Sequence, residues 1–196
     1  VDVVIDGQVI QAGQAAVSTR NGREAITVTV DQQMVEEIIT QSEQGVVLSV
    51  SVASSPDAVI GVLNGQMVKN LEHKDAEVEI VTERGSYRIP ASQIRIDAVV
   101  NQLGSDVALQ DIEIAIEISS PTEEQLQQIA QAAADGQFLI VAEPLIFTVT
   151  GKYNDQTIAI QSFDVYVERR IALPAGVDPE QITTAVVVQS DQTVRH

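Results

Sequence analysis

The sequence predicts an α+β protein: repeated β-hairpin–helix units forming a mostly antiparallel sheet with helices on one face, followed by a β-rich C-terminal part. Three observations carry that expectation. The apolar content is dominated by Val and Ile, with no Trp, three Phe and three Tyr in 196 residues, a composition that suits sheet packing. The run "IEIAIEI", Ile112 to Ile118, puts four Ile on one face and Glu113, Ala115 and Glu117 on the other, as a half-buried strand requires. Three stretches also align: "ITVTVDQQMVEEIIT" from Ile26, "AVIGVLNGQMVKNLE" from Ala58 and "SYRIPASQIRIDAVV" from Ser86. Each is a short apolar strand, a break and an amphipathic segment, recurring at a spacing of roughly thirty residues.

In the first two stretches Asp31 and Asn64 stand where a helix N-cap belongs, and Gln33-Met34-Val35 recurs as Gln66-Met67-Val68. Each strand is preceded by a turn and another strand. The turns are "TRNGRE", "ASSPD" and "TERGS", and Asn21-Gly22 is the strongest hairpin signal. Gly85 reads as a turn residue. "LSVSV", Leu48 to Val52, alternates like "IEIAIEI", so one face is expected to be buried and the other wet.

The helices carry their apolar residues at helical spacing. Met34, Val35, Ile38 and Ile39 form one stripe, and Ile96, Val99, Val100 and Leu103 another. A fourth helix, "TEEQLQQIAQAAAD", is capped by Thr122 with Gln125 three residues on. Leu126, Ile129, Ala130 and Ala133 make its expected buried stripe, and Gly136 its end. From about Pro144 helical spacing stops. "LIFTVTGKY", "QTIAIQSF", "VYVERRIAL" and "TTAVVVQ" follow as strands, with Asn154-Asp155 as a turn. The chain therefore divides into residues 1–142, the hairpin–helix region, and 143–196, a β-rich region that belongs to the same domain or to a second small one. "SDQTVRH" at the end reads as half of a hairpin whose return strand is missing.

Charge narrows the function. Lys plus Arg is 11 against 28 Asp plus Glu, a net charge of −17. Such a field repels phosphate backbones and anionic membrane surfaces, so no nucleic-acid or membrane partner is expected. There are no cysteines, which removes disulfides, thiolate metal sites and thiol nucleophiles together. No run approaches the roughly 18 apolar residues of a membrane span. The chain opens on Val-Asp-Val-Val with neither an initiator Met nor a signal peptide, the expectation for a processed chain or an internal domain.

Catalytic signatures are sparse. His73 lies among Glu72, Lys74 and Asp75, and His196 is terminal, so a nucleophilic triad lacks its base. Paired carboxylates such as Glu113 with Glu117, and Glu77 with Glu79, lack the aromatic platforms of a glycosidase cleft. No catalytic or organic-cofactor residue is therefore assigned. Calcium stays open: Asp155 in its turn and Asp178 with Glu180 could supply oxygens to an irregular site, while Asn-Asp and Asp-Pro are also ordinary turn chemistry. Tyr87, Tyr153 and Tyr166 are the candidate carbohydrate platforms, and alternation leaves Tyr87 and Tyr166 equally suited to a core. In "YVERRIALPAGVDPEQITTAVVV", Val165, Val167 and Arg169 share one strand face, and Tyr166, Glu168 and Arg170 the other. Glu168 and Arg170 are thus neighbours able to pair.

"FTVTGKYNDQTIAIQSFDVYVERRIALPAGVDPEQITTAVVVQSDQTVRH" resembles a module of exported Gram-positive bacterial proteins, found next to S-layer homology (SLH) domains. The upstream "AEVEIVTERGSYRIPASQI" is similar to the same module, and the resemblance runs from about Ala76 onward. It implies an extracellular, cell-wall or cell-surface location, and partners that are neighbouring domains of a larger secreted protein or wall and S-layer components. No SLH motif lies in this chain, and the resemblance carries no catalytic residues with it. The function expected is a non-catalytic structural spacer or adhesion-type module. The alternative is a carbohydrate-binding accessory module of an exported glycoside hydrolase.

Overall fold

The computed structural model describes residues 1–104, 106–188 and 194–195. Two hairpins open the chain, each on a two-residue turn whose residues both take positive φ. Asp6 (49°) and Gly7 (77°) join β1 (Asp2–Ile5) to β2 (Gln8–Ile10), and Asn21 (53°) and Gly22 (77°) join β3 (Gly13–Arg20) to β4 (Arg23–Val30). Paired positive φ matches the right-handed twist of the flanking strands, and Asn, Asp and Gly tolerate it best. Then come α1 (Gln32–Gln41), β5 (Val47–Val52), β6 (Ala58–Asn64), α2 (Gly65–Glu72), β7 (Glu77–Thr82) and β8 (Gly85–Pro90). A 3-10 turn at Ala91–Ile94 leads into α3 (Ile96–Leu103), β9 (Glu113–Ser119) and α4 (Glu123–Gly136). β10 (Ile146–Tyr153), β11 (Gln156–Ala159), β12 (Glu168–Ile171), β13 (Val187–Val188) and β14 (Val194–Arg195) complete it.

The architecture is α+β, with two mostly antiparallel sheets of six strands. Sheet A runs β12-β8-β7-β5-β1-β2 and sheet B runs β11-β10-β9-β6-β4-β3. The sequence leads to one sheet covered by helices, whereas here the two sheets cover one another. Val3, Ile5, Leu48, Val50, Val78, Ile80 and Ile89 of sheet A share one core with Val28, Val59, Leu63, Ile114, Ile116 and Ile118 of sheet B. Alternation demands only that one face be buried, and a second apolar sheet satisfies that as well as a helix does.

The crossing point explains the difference. β5 and β6 do not form a hairpin: β5 pairs with β1 and β7, and β6 pairs with β4 and β9. The "ASSPD" stretch therefore carries the chain from one sheet to the other. β4 and β6 are parallel neighbours, as are β5 and β7. At the common end of β4 and β6, Asp31 accepts from Met34 N (3.1 Å) and Asn64 from Met67 N (2.8 Å), starting α1 and α2 side by side. Asn64 and Asn70 donate to Gln32 and Glu36 at 2.5 and 2.9 Å. Val35, Ile39, Met67, Val68, Leu71, Ile96, Val99 and Leu103 of the three helices belong to the same core.

β6 departs from alternation. Val59 and Leu63 belong to the main core, while Ile60 and Val62 form a small second cluster with Ala25 on the other face. Gly61 sits against Ile80 of sheet A, and a Cβ there would run into the Ile80 side chain. Gly61→Val should destabilise the fold by about 1–3 kcal/mol through overpacking, read as a lower urea midpoint at unchanged slope.

α4 carries the expected capping box, with Thr122 and Gln125 satisfying one another's backbone N–H. Its buried face differs: Ala132 and Ala133 are buried and Ile129 half-buried, while Leu126 and Ala130 face solvent. Its last helical residue is Gly136, and Gln137 takes the left-handed position (φ 54°). Met34 of α1 is likewise exposed. After residue 143, β10 and β11 extend sheet B and β12 extends sheet A, so this region builds the same two sheets. β14 returns on β13, pairing Val194 with Val188. Of "SDQTVRH", Ser190 to Thr193 and His196 lie outside the described residues.

Candidate functional site

β12 pairs with β8, placing Glu168 opposite Arg88, Arg169 opposite Tyr87 and Arg170 opposite Ser86. On the outer face Glu168 pairs with Arg170 at 2.5 Å, and Arg88 pairs with Glu77 at 2.5 Å. On the inner face the Arg169 guanidinium lies 5.0 Å from the Tyr87 ring centroid and 5.9 Å from that of Phe147. The two rings meet edge to face, 5.3 Å apart. Tyr87 is a core residue, 1% exposed, and Tyr166 is fully exposed. The three tyrosines thus take different places: Tyr153 is half-buried at the end of β10.

Burial pushes the Tyr87 phenol above its ordinary value near 10, against the opposing pull of Arg169. A phenol that holds its proton more tightly when folded gives stability that is whole below the unfolded value. That stability is lost as pH rises through the folded value. The urea midpoint should therefore fall above about pH 10, and fall less in Tyr87→Phe, measured between about pH 8 and pH 11.

Tyr166 borders a shallow open concavity of about 450 Å³, lined by Glu77, Arg88, Pro90, Tyr166, Val167 and Glu168. A second, about 330 Å³, lies between α1 and α2 against Glu36, Asn70, His73 and Lys74. His73 is exposed. Three of the four carboxylates named in pairs from the sequence meet basic or polar partners. Glu77 holds Arg88, Glu79 accepts from Ser49 at 3.3 Å, and Glu117 faces Arg20 at 3.9 Å.

The calcium candidates are placed separately. Asp155 sits in the two-residue turn between β10 and β11, beside Asn154 with its φ of 51°. Asp178 caps the 3-10 turn Pro179–Gln181, its carboxylate accepting from Glu180 N at 3.0 Å. Among the described residues no group of three or more His, Asp or Glu side chains is gathered as a metal ion would need.

A polar cluster that the sequence does not announce lies where the loops of both sheets meet. Arg84, in the β7–β8 turn, donates to Pro56 O (2.6 Å), Asp57 O (3.4 Å), Glu143 (3.4 Å) and the Ser120 hydroxyl. Arg23 donates to Ser120 O (2.6 Å) and faces Asp57 at 3.7 Å, while Asp57 accepts from Glu24 N at 2.9 Å. In the sequence Arg84 is one residue of a turn. Only the fold brings residues 57 and 120 beside it.

No family model, no curated protein and no solved structure matches the chain. No helix among the described residues is long and apolar enough to cross a membrane.

Proposed function

We propose that the chain is a non-catalytic structural spacer or adhesion-type module of a bacterial cell-surface, S-layer-associated protein, acting outside the cell beside neighbouring domains. The observation that supports this most is the fate of the charged groups. The carboxylates nearest the larger concavity, Glu77 and Glu168, are each bound to a guanidinium, which orders the surface and leaves neither free as a general base. One apolar core reaches through both sheets and α1 to α3, as a stiff body requires. The aligned strand–cap–helix stretches act in this reading as a repeated unit. Asp31 and Asn64 start adjacent helices at the ends of parallel strands whose partners, Ala25 and Ala58, keep the same spacing.

Retention on purified cell-wall fragments, at two salt concentrations, tests the spacer. A spacer stays in solution at both; salt-resistant retention makes the chain an anchor and ends the spacer reading. The carbohydrate-binding alternative is favoured by one feature, the fully exposed Tyr166 beside Pro90, Glu77, Arg88 and Glu168. It requires a Tyr166→Ala variant to lose saccharide binding that the parent chain shows.

A further inference from the structure

We propose that the free edge of sheet B is a self-association surface, where β3 pairs antiparallel with β3 of a second copy of this chain. Among the described residues β3 is the outermost strand of sheet B, and it makes eight consecutive residue pairs with β4, Gly13 opposite Val30 through Arg20 opposite Arg23, without a bulge. All eight of its residues are exposed. A strand edge carries a row of backbone donors and acceptors that another strand can meet, and proteins usually block such edges with charge, Pro, a bulge or brevity. Among the described residues, the other three edges of the two six-stranded sheets are blocked in that way. β12 carries Glu168, Arg169 and Arg170, β11 has four residues and β2 three. β3, "GQAAVSTR", holds no Pro, no Lys and no charge before Arg20.

Two further observations select a second copy as the occupant. Charge is the first. In a chain of net charge −17, Gly7 to Arg23 is the longest run without Asp or Glu, so two copies meet here with the least repulsion. Side-chain fit is the second. Val17 lies opposite Ile26, on the core side of the sheet, yet is 69% exposed. A two-fold axis through Val17 sets Val17 against its own copy, Ala16 against Ser18 and Ala15 against Thr19. Each half then covers the apolar side chain the other leaves open, and the contact closes on itself as an isologous dimer. The proposal does not rest on the cell-surface reading, and holds for a spacer or for a carbohydrate-binding module.

Sedimentation equilibrium over a wide concentration range tests it on the whole chain, with Val17→Lys, Val17→Glu and their mixture beside the parent. The parent should form a dimer that tightens with added salt as repulsion between the acidic bodies is screened. Either substitution alone should weaken the dimer more than tenfold, since like charges then face each other. An equal mixture of the two variants should restore it. Circular dichroism and melting of the single variants, at an exposed position, should match the parent. A parent that stays monomeric overturns the proposal, as does a dimer indifferent to Val17 or one that the mixture fails to restore.

Discussion

Replacing Tyr87 with Ala should lower the unfolding free energy by about 3–5 kcal/mol, the range for removing a large buried ring. The ring is 1% exposed, meets Phe147 edge to face, and lies beneath the Arg169 guanidinium. Its loss opens a void between the sheets and strips Arg169 of the surface that holds it. Tyr87→Phe separates the two effects: it keeps the ring and gives up only the 3.4 Å hydrogen bond from Arg169. It should cost about 1 kcal/mol or less. Urea unfolding of both variants gives the comparison, and near-equal midpoints would show that the packing of the ring matters little.

Arg84→Ala should cost about 2–3 kcal/mol, because a charged donor bonded to several acceptors is worth more than a neutral one. Its guanidinium, mostly buried, ties the crossing stretch at Pro56 and Asp57 to the loop at Ser120. Removing it leaves the Pro56 carbonyl without the donor it has here. Arg84→Lys should recover little, since a single ammonium cannot span acceptors that the planar fork reaches together. Full recovery by Lys would mean that charge alone, without the fork geometry, holds these loops.

Local chemistry was the part of this fold open to reading from the sequence. Asn21-Gly22, the caps at Asp31 and Asn64, the Thr122–Gln125 box and the Glu168–Arg170 pair each depend on residues close together in the chain. Asp6-Gly7 carries the same hairpin signal as Asn21-Gly22 and marks the β1–β2 turn. The two-sheet arrangement is different in kind. Alternation in "LSVSV" and "IEIAIEI" says that a face is buried without saying by what. Nothing within "ASSPD" distinguishes a turn from a crossing. The burial of Ile60 and Val62 on the second face of β6 depends on a central position in sheet B, which neighbours in sequence do not reveal. The candidate site follows the same division: Glu168 and Arg170 pair within one strand, whereas the Arg84 cluster joins four separate loops.

The crossing of the chain between the sheets has a consequence for how the molecule assembles. β4 reaches its parallel neighbour β6 only after the chain has visited sheet A as β5, and β5 reaches β7 only after a visit to sheet B as β6. The middle of each sheet therefore closes over a loop that contains a strand of the other. Such non-local pairings make the loop-closure entropy fall due before the contacts that offset it, which slows folding. Because the two sheets share one apolar core, the centres of both are expected to unfold together in a single urea transition.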